Sequence, residues 1–331
     1  VDGAMTVLKI AIVFFVVIVG FFYVKASNFT PFIPPSQPAS TVEGSSAVTG
    51  VMTQPLWQFA TGMTPSVYGV PGILSGAALV FFAFIGFDVV ATASEETKNP
   101  HKNVPLGIGV GMLLIIVMYM LVAVVTTGMV SYADLAKQDS PSLATAFELV
   151  GADWAAKIIS FGIVLGLATV VMVLLLGLTR IVFAMSRDGL LPRGLSKTGK
   201  HGTPAALQIV VGAVVALVAA FFDIGVLSDM VNIGTLSAFT LVAISIPIMR
   251  KKRPDLPRAF KMPGSPWIPI LIAVSNFWLM LNLSVLTWIR FVVWLVVGFA
   301  IYFGYGYWHA RLGKGDLTET LSAETDKAVN G

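Results

Sequence analysis

The chain contains no cysteine, so disulfides, thiolate metal sites and cysteine nucleophiles are all excluded together. Histidine is almost as scarce. The three present, His101, His201 and His309, fall in polar connections or beside the C-terminal tail, which argues against a histidine-built metal centre. Charge is thin as well: 11% of the 331 residues are Asp, Glu, Lys or Arg, against about 25% in an ordinary soluble domain. No Walker loop, HExxH pair or nucleophile elbow occurs, so nothing points to an enzyme or calls for a cofactor. There is no signal peptide with a charged n-region and a small-residue cleavage site, and the chain opens on Val1, as expected of a segment of a longer protein.

What fills the chain instead is apolar side chains, 56% of the total, with a mean hydropathy of +0.86. Apolar runs of about 20 residues recur along the whole length, the mark of membrane-spanning helices. The expected fold class is therefore an all-α membrane protein, a polytopic helical bundle. Eight spans are expected, at approximately 6–24, 73–92, 104–128, 154–186, 205–221, 229–249, 267–286 and 290–308. All but four of the 21 lysines and arginines then fall on one face, the exceptions being Lys25, Lys137, Lys157 and Arg290. By the positive-inside rule that face is cytoplasmic, both ends of the chain with it, and 25–72, 129–153 and 222–228 are external. The net charge of +4 is a consequence of this topology and implies no nucleic acid.

Residues 25–72, with seven prolines and many Ser, Thr and Gly, read as an extended external loop. Asn28-Phe29-Thr30 matches a glycosylation acceptor but lies against the membrane. The polar tail, 310–331, has no apolar period and reads as disordered.

Charges and helix breakers inside spans are costly, so chemistry is sought there. Gly86 falls near the middle of the second span and Asp88 just beyond it. A glycine at that depth suits either an unwound turn that exposes main-chain groups to a ligand, or close packing of a continuous helix. Asp88 reads as a gate or proton group, or as a structural polar partner.

Lys9 lies only about 24 Å of helix from Lys25, less than the roughly 30 Å of hydrocarbon, so it falls inside the bilayer if Lys25 marks the outer boundary. Desolvation disfavours a charged ammonium, which suits such a lysine to proton coupling; the alternative is snorkelling to the cytoplasmic edge. The fourth span, about 33 residues or roughly 50 Å long, carries Gly162, Gly166, Ala168 and Thr169 at its middle, for close helix packing or an ion site. Asn232 to Ser237 in the sixth span read as interhelical hydrogen bonding or a pathway lining. The run Arg250 to Arg253 is primarily a topology determinant, with anionic lipid as its second reading.

Five blocks in order carry a family resemblance: Phe81 to Asp88 (FFAFIGFD), Glu95 to Pro105 (EETKNPHKNVP), Ser186 to Pro192 (SRDGLLP), Asn232 to Phe239 (NIGTLSAF) and Arg253 to Pro263 (RPDLPRAFKMP). Together they resemble the amino acid–polyamine–organocation transporters, in particular bacterial permeases of the cationic amino acid transporter branch. The resemblance implies a five-plus-five inverted repeat with two extra C-terminal helices, the eight spans here corresponding to helices five to twelve. The half of the substrate site expected from the first four helices then belongs to the remainder of a longer protein, with an accessory membrane subunit as the alternative.

The resemblance also implies residue roles. Main-chain carbonyls at Phe82, Ala83, Phe84 and Ile85, in a turn freed by Gly86, bind the substrate amino group, with Phe82 as an aromatic lid. The ammonium of Lys9 takes the place of an ion and couples protons, Ala168 and Thr169 line that site, and Asp88 belongs to the inner gate. The function implied is secondary active transport of amino acids across the cell membrane in symport with protons. A non-transporting amino-acid receptor and a truncated scaffold are the alternatives.

Overall fold

The computed structural model describes residues 2–39, 50–87, 90, 97–138, 141–196, 204–254, 262 and 264–310. Among them the helices run α1 (Asp2–Phe21), α2 (Leu56–Thr61), α3 (Gly69–Val80), α4 (Pro100–Met129), α5 (Tyr132–Ala136), α6 (Leu143–Leu149), α7 (Asp153–Arg187), α8 (Ala205–Phe221), α9 (Ile224–Lys252), α10 (Trp267–Leu281), α11 (Val285–Ile301) and α12 (Tyr307–His309). Two short strands, β1 (Gln37–Pro38) and β2 (Ser66–Val67), pair antiparallel.

Four stretches, Lys102–Met129, Asp153–Arg187, Ile224–Lys252 and Val285–His309, are long and apolar enough to cross a membrane. Four shorter apolar helices, Met5–Phe21, Gly69–Phe84, Ala205–Phe221 and Trp267–Leu281, accompany them. Only 6% of the apolar window of α4 is buried within the chain, so its side chains face outward and suit a hydrocarbon solvent rather than water. The chain is an all-α, polytopic membrane protein.

The residues divide into two compact units, Val1–Met172 with Ser228–Trp288, and Val173–Leu227 with Ile289–Gly331. In the first, a core forms where α1, α4, α6 and α7 meet around Val16, Val125, Met129, Phe147, Ala155 and Ile159. Small residues let the backbones approach. A side chain at Gly20 would strike Val125, and one at Gly162 would strike Ile12. The ends of α1 and α4 lie together: Lys25 N–H donates to the Gly128 carbonyl (2.9 Å), and Asn28 Nδ2 donates to the same oxygen (2.8 Å). The Asn28 amide is thus a helix-end tie. α7 runs the opposite way to α1, with Trp154 edge-on to Phe15 at 5.8 Å, Gly162 at Ile12 and Gly166 at Lys9.

The connections are more built than a loop reading expects. Within 25–72, β1 and β2 close a ribbon, and the stretch before and into α2 joins the α10–α11 turn. Leu56 N–H donates to Leu283 C=O (3.0 Å), Val285 N–H to Gln54 C=O (3.1 Å) and Leu286 N–H to Met52 C=O (2.8 Å). Trp57 stacks on Trp278 at 6.4 Å. Within 129–153, Ser142 and Thr145 form a capping box that starts α6 and delivers Phe147 to the core.

Helix ends shift for identifiable reasons. α3 begins at Gly69, earlier than expected, because Pro71 falls in its first turn, where a missing N–H costs nothing. α11 begins at Val285 because the Ser284 hydroxyl accepts from Thr287 N–H (3.2 Å), turning an apparently continuous apolar run into a helix start.

In the second unit α7 ends on the Ser186 to Pro192 block. Leu190 N–H donates to Met185 C=O (2.9 Å) and Ser186 Oγ to Pro192 C=O (2.7 Å), with Gly189 at φ +83°. A side chain at Gly189 would collide with the carbonyl of His309, which α11 reaches through a π turn at Tyr302–Gly306.

Candidate substrate site

α3 does not continue through the membrane as one helix. After Val80 it tightens to a 3₁₀ turn over Phe81–Phe84, and Ile85 leaves helical geometry at φ −66°, ψ 137°. Gly86 follows at φ +120°, a conformation open to glycine and costly for other residues. Nothing crowds the position where its Cβ would stand, so backbone conformation rather than packing is what requires glycine here.

Neighbouring helices hold the interruption open. From α4, Tyr119 Oη donates to the Ala83 carbonyl at 2.7 Å, and its ring meets Phe84 edge-on at 5.1 Å. From α9, Phe239 packs on both sides of the break, 6.1 Å from Phe81 and 5.2 Å from Phe87. Asn232, fully buried, donates through Nδ2 to the Leu79 carbonyl (3.4 Å), securing the last α-helical turn before the interruption. Its Oδ1 has no hydrogen-bond partner among the described residues.

The candidate residues are arranged unequally about this turn. Phe82 is 43% exposed and Ala83 is exposed, whereas Phe84, Ile85 and Gly86 are half-buried. Two of the carbonyls expected to meet a ligand are already in use, that of Phe82 by Ile85 N–H (3.2 Å) and that of Ala83 by Tyr119. A carbonyl oxygen has two lone pairs, so each retains capacity for a second donor.

Lys9 belongs to a different helix pair. Half-buried on α1, it lies against α7 among Ile12, Gly162, Leu165 and Gly166, its Cε 3.9 Å from where a Gly166 Cβ would stand. Thr169, one turn further along that face of α7, spends its hydroxyl on its own helix, donating to Gly166 C=O at 2.7 Å. Ala168 is exposed and, two residues on from Gly166, turns about 200° away from that face. Asp88 lies outside the described residues.

Sequence reasoning missed Tyr119 and Phe239. The first had a signal, a phenolic hydroxyl in an otherwise apolar run; the second lay unremarked inside the Asn232 to Phe239 block.

Residues 3–307 match the family model described as amino acid permease. The chain belongs to that family. This family member is 41% identical over 315 residues to the branched-chain amino acid permease BcaP of Bacillus subtilis (strain 168), an alignment covering 95% of this chain and 60% of the relative. It is 38% identical over 314 residues to the methylthioribose transporter of the same organism, again 95% of this chain and 60% of the relative. Over 195 residues it is 45% identical to the mitochondrial cationic amino acid transporter 3 of Arabidopsis thaliana, 59% of this chain and 31% of that protein. The chain thus spans about 60% of the length of its bacterial relatives. The superfamily read from the five blocks holds for this permease-family chain.

Proposed function

We propose that this chain carries half of the substrate site and the proton-coupling lysine of a secondary active transporter for α-amino acids, working by alternating access. The observation that carries the reading is the interruption of α3 at Ile85–Gly86 in a chain of the amino acid permease family. The substrate ammonium donates to main-chain carbonyls of the Phe82 to Ile85 turn, where broken helix geometry leaves acceptors that an intact helix would consume. Phe82, the most exposed ring of the turn, covers the bound substrate. Rocking of neighbouring helices then exposes the turn to either side in succession.

Lys9 couples the cycle to protons. Its stem is held between α1 and the glycine face of α7, so a change of charge on its ammonium acts at a helix–helix contact. Thr169, one turn along the glycine face from Gly166, completes the surroundings of that ammonium, while Ala168 turns away from it; Asp88 serves the inner gate. The transporter sits in the cell membrane with eight spans, helices five to twelve of an inverted-repeat fold, and with both ends of this chain cytoplasmic. The relatives' names support amino acids as the substrate class, since those named as branched-chain and cationic transporters are 41% and 45% identical to this chain over the stretches they align with.

The test is uptake of labelled amino acids by proteoliposomes containing the complete protein, with and without an inwardly directed proton gradient (exterior acidic). Lys9→Ala is expected to abolish accumulation driven by the pH gradient. Undiminished pH-driven accumulation in that variant would falsify the coupling role.

A further inference from the structure

The first unit holds a cavity of about 520 Å³ at the common end of α1 and α4, and its volume is in the range of small-molecule sites (about 300–1,000 Å³). Phe22 to Lys25, which follow α1, form one wall, and Val130 and Ser131, which follow α4, form another. Asp134 of α5 and Leu149 at the end of α6 complete it. The cavity lies at the level where both spans leave the hydrocarbon. Lys25 is the first charge after the apolar run that starts at Ile10, and its main-chain N–H on the Gly128 carbonyl (2.9 Å) sets the end of α4 at the same depth. Phe21 and Phe22, 69% and 81% exposed, stand beside it and suit hydrocarbon rather than water.

Two side chains of opposite charge line the cavity, Lys25 and Asp134. The Lys25 ammonium makes no ion pair and no hydrogen bond with the described residues. Asp134 is held in place by Ser131, whose Oγ donates to Oδ2 (3.0 Å), and Lys137 Nζ stands 3.5 Å from Oδ1. Both members of that ion pair are largely exposed, so water screens it, and the carboxylate keeps lone pairs for further donors. The long helices α1 and α4 both end at the cavity, and helix C-termini carry partial negative charge that adds to that of Asp134.

A cation alone leaves the Lys25 ammonium unmatched, and an anion alone meets Asp134 and two negative helix ends. A ligand with one charge of each sign satisfies both, and the exposed rings at the rim call for one with an apolar remainder. We propose that this cavity seats the headgroup of a phospholipid carrying a primary ammonium, phosphatidylethanolamine. Its phosphate lies on Lys25, its ammonium gives N–H groups to Asp134, and its chains pass along Phe21 and Phe22. The assignment goes beyond the transport reading and does not rest on it.

Native mass spectrometry of the complete protein in detergent, titrated at neutral pH with the dilauroyl forms of phosphatidylethanolamine, phosphatidylcholine and phosphatidylglycerol, tests this. The three share chains and phosphate and differ in offering a primary ammonium, a quaternary one without N–H groups, or no cation. Phosphatidylethanolamine is expected to bind about tenfold more tightly than either of the others. Lys25→Gln should weaken all three alike, and Asp134→Asn should bring phosphatidylethanolamine to the level of phosphatidylcholine. Equal affinity for the three lipids overturns the proposal, and so does an undiminished preference in Asp134→Asn. Soluble phosphoethanolamine should fail to displace the lipid below about a hundredfold excess, since it brings no chains to bury. Displacement at equal concentration overturns the lipid assignment in favour of a free zwitterion. If a variant does not survive purification, the three-lipid comparison on the unsubstituted protein decides alone. Amino acid uptake is not the readout, so failure here leaves the reading of the α3 turn standing.

Discussion

At the scale of single residues, the interruption of α3 depends on two different contributions. Gly86 supplies a backbone conformation, and Tyr119 supplies a hydrogen bond that keeps the Ala83 carbonyl turned out of the helix axis. Tyr119→Phe removes the hydroxyl but keeps the ring on Phe84. A net hydrogen bond of this kind contributes about 0.5–1.5 kcal/mol, so substrate affinity in the complete transporter is expected to weaken by roughly 2–10-fold, with expression unchanged. Substrate titration of the two proteins side by side checks this; equal affinities would mean that the turn holds its shape without α4. Phe82→Ala removes an exposed ring that little else supports. It is expected to weaken substrate binding at least about tenfold while leaving the melting temperature unmoved, whereas a fall in melting temperature with normal affinity would place that ring in the packing instead. Of these residues, Gly86 was legible in the sequence because a glycine at mid-span is a local signal, whereas Phe82 was named only through the family resemblance of the Phe81 to Asp88 block. Tyr119 was not, since a hydroxyl in an apolar run announces a need for a partner without saying that the partner is a main-chain oxygen 36 positions away.

At the scale of elements, α1 and α7 meet through the Phe15–Trp154 ring contact at one end and through glycine, Gly162 on Ile12 and Gly166 at Lys9, further along. In a hydrocarbon solvent burial of apolar area brings no gain, so contact depends on how closely the backbones approach. Gly162→Leu would force Ile12 aside and is expected to destabilise the chain by about 1–3 kcal/mol, whereas Gly107→Leu, on an open face of α4, should be nearly neutral. Thermal unfolding in detergent distinguishes them, and equal midpoints would show that the α1–α7 contact is not limited by that glycine. The apolar segments were legible from hydropathy because lipid-facing helices need apolar side chains all round. Their ends were less so. Pro71 and Ser284 look like a breaker and a mid-run polar residue, yet one sits harmlessly in a first turn and the other caps a new helix. Residues 50–61 read as part of the 25–72 external loop because their hydrogen bonds go to the α10–α11 turn, a partner more than two hundred positions away that no local pattern can reveal.

At the scale of the whole molecule, the lysine and arginine distribution assigns sides, and the absence of cysteine makes that assignment directly measurable. Met63→Cys, in the expected external segment, should react with a membrane-impermeant maleimide in intact cells. Gly194→Cys, in the expected cytoplasmic segment, should react only after permeabilisation; the reverse pattern would invert the orientation. The seat of Gly189 on the carbonyl of His309 has a consequence in time. These residues stand about 120 positions apart, so at roughly 5–20 residues per second a ribosome delivers the partner some 6–24 s after the glycine turn has been made. For that interval the Ser186 to Pro192 turn waits without the contact that its glycine accommodates, and release of a nascent chain short of His309 would leave it waiting permanently.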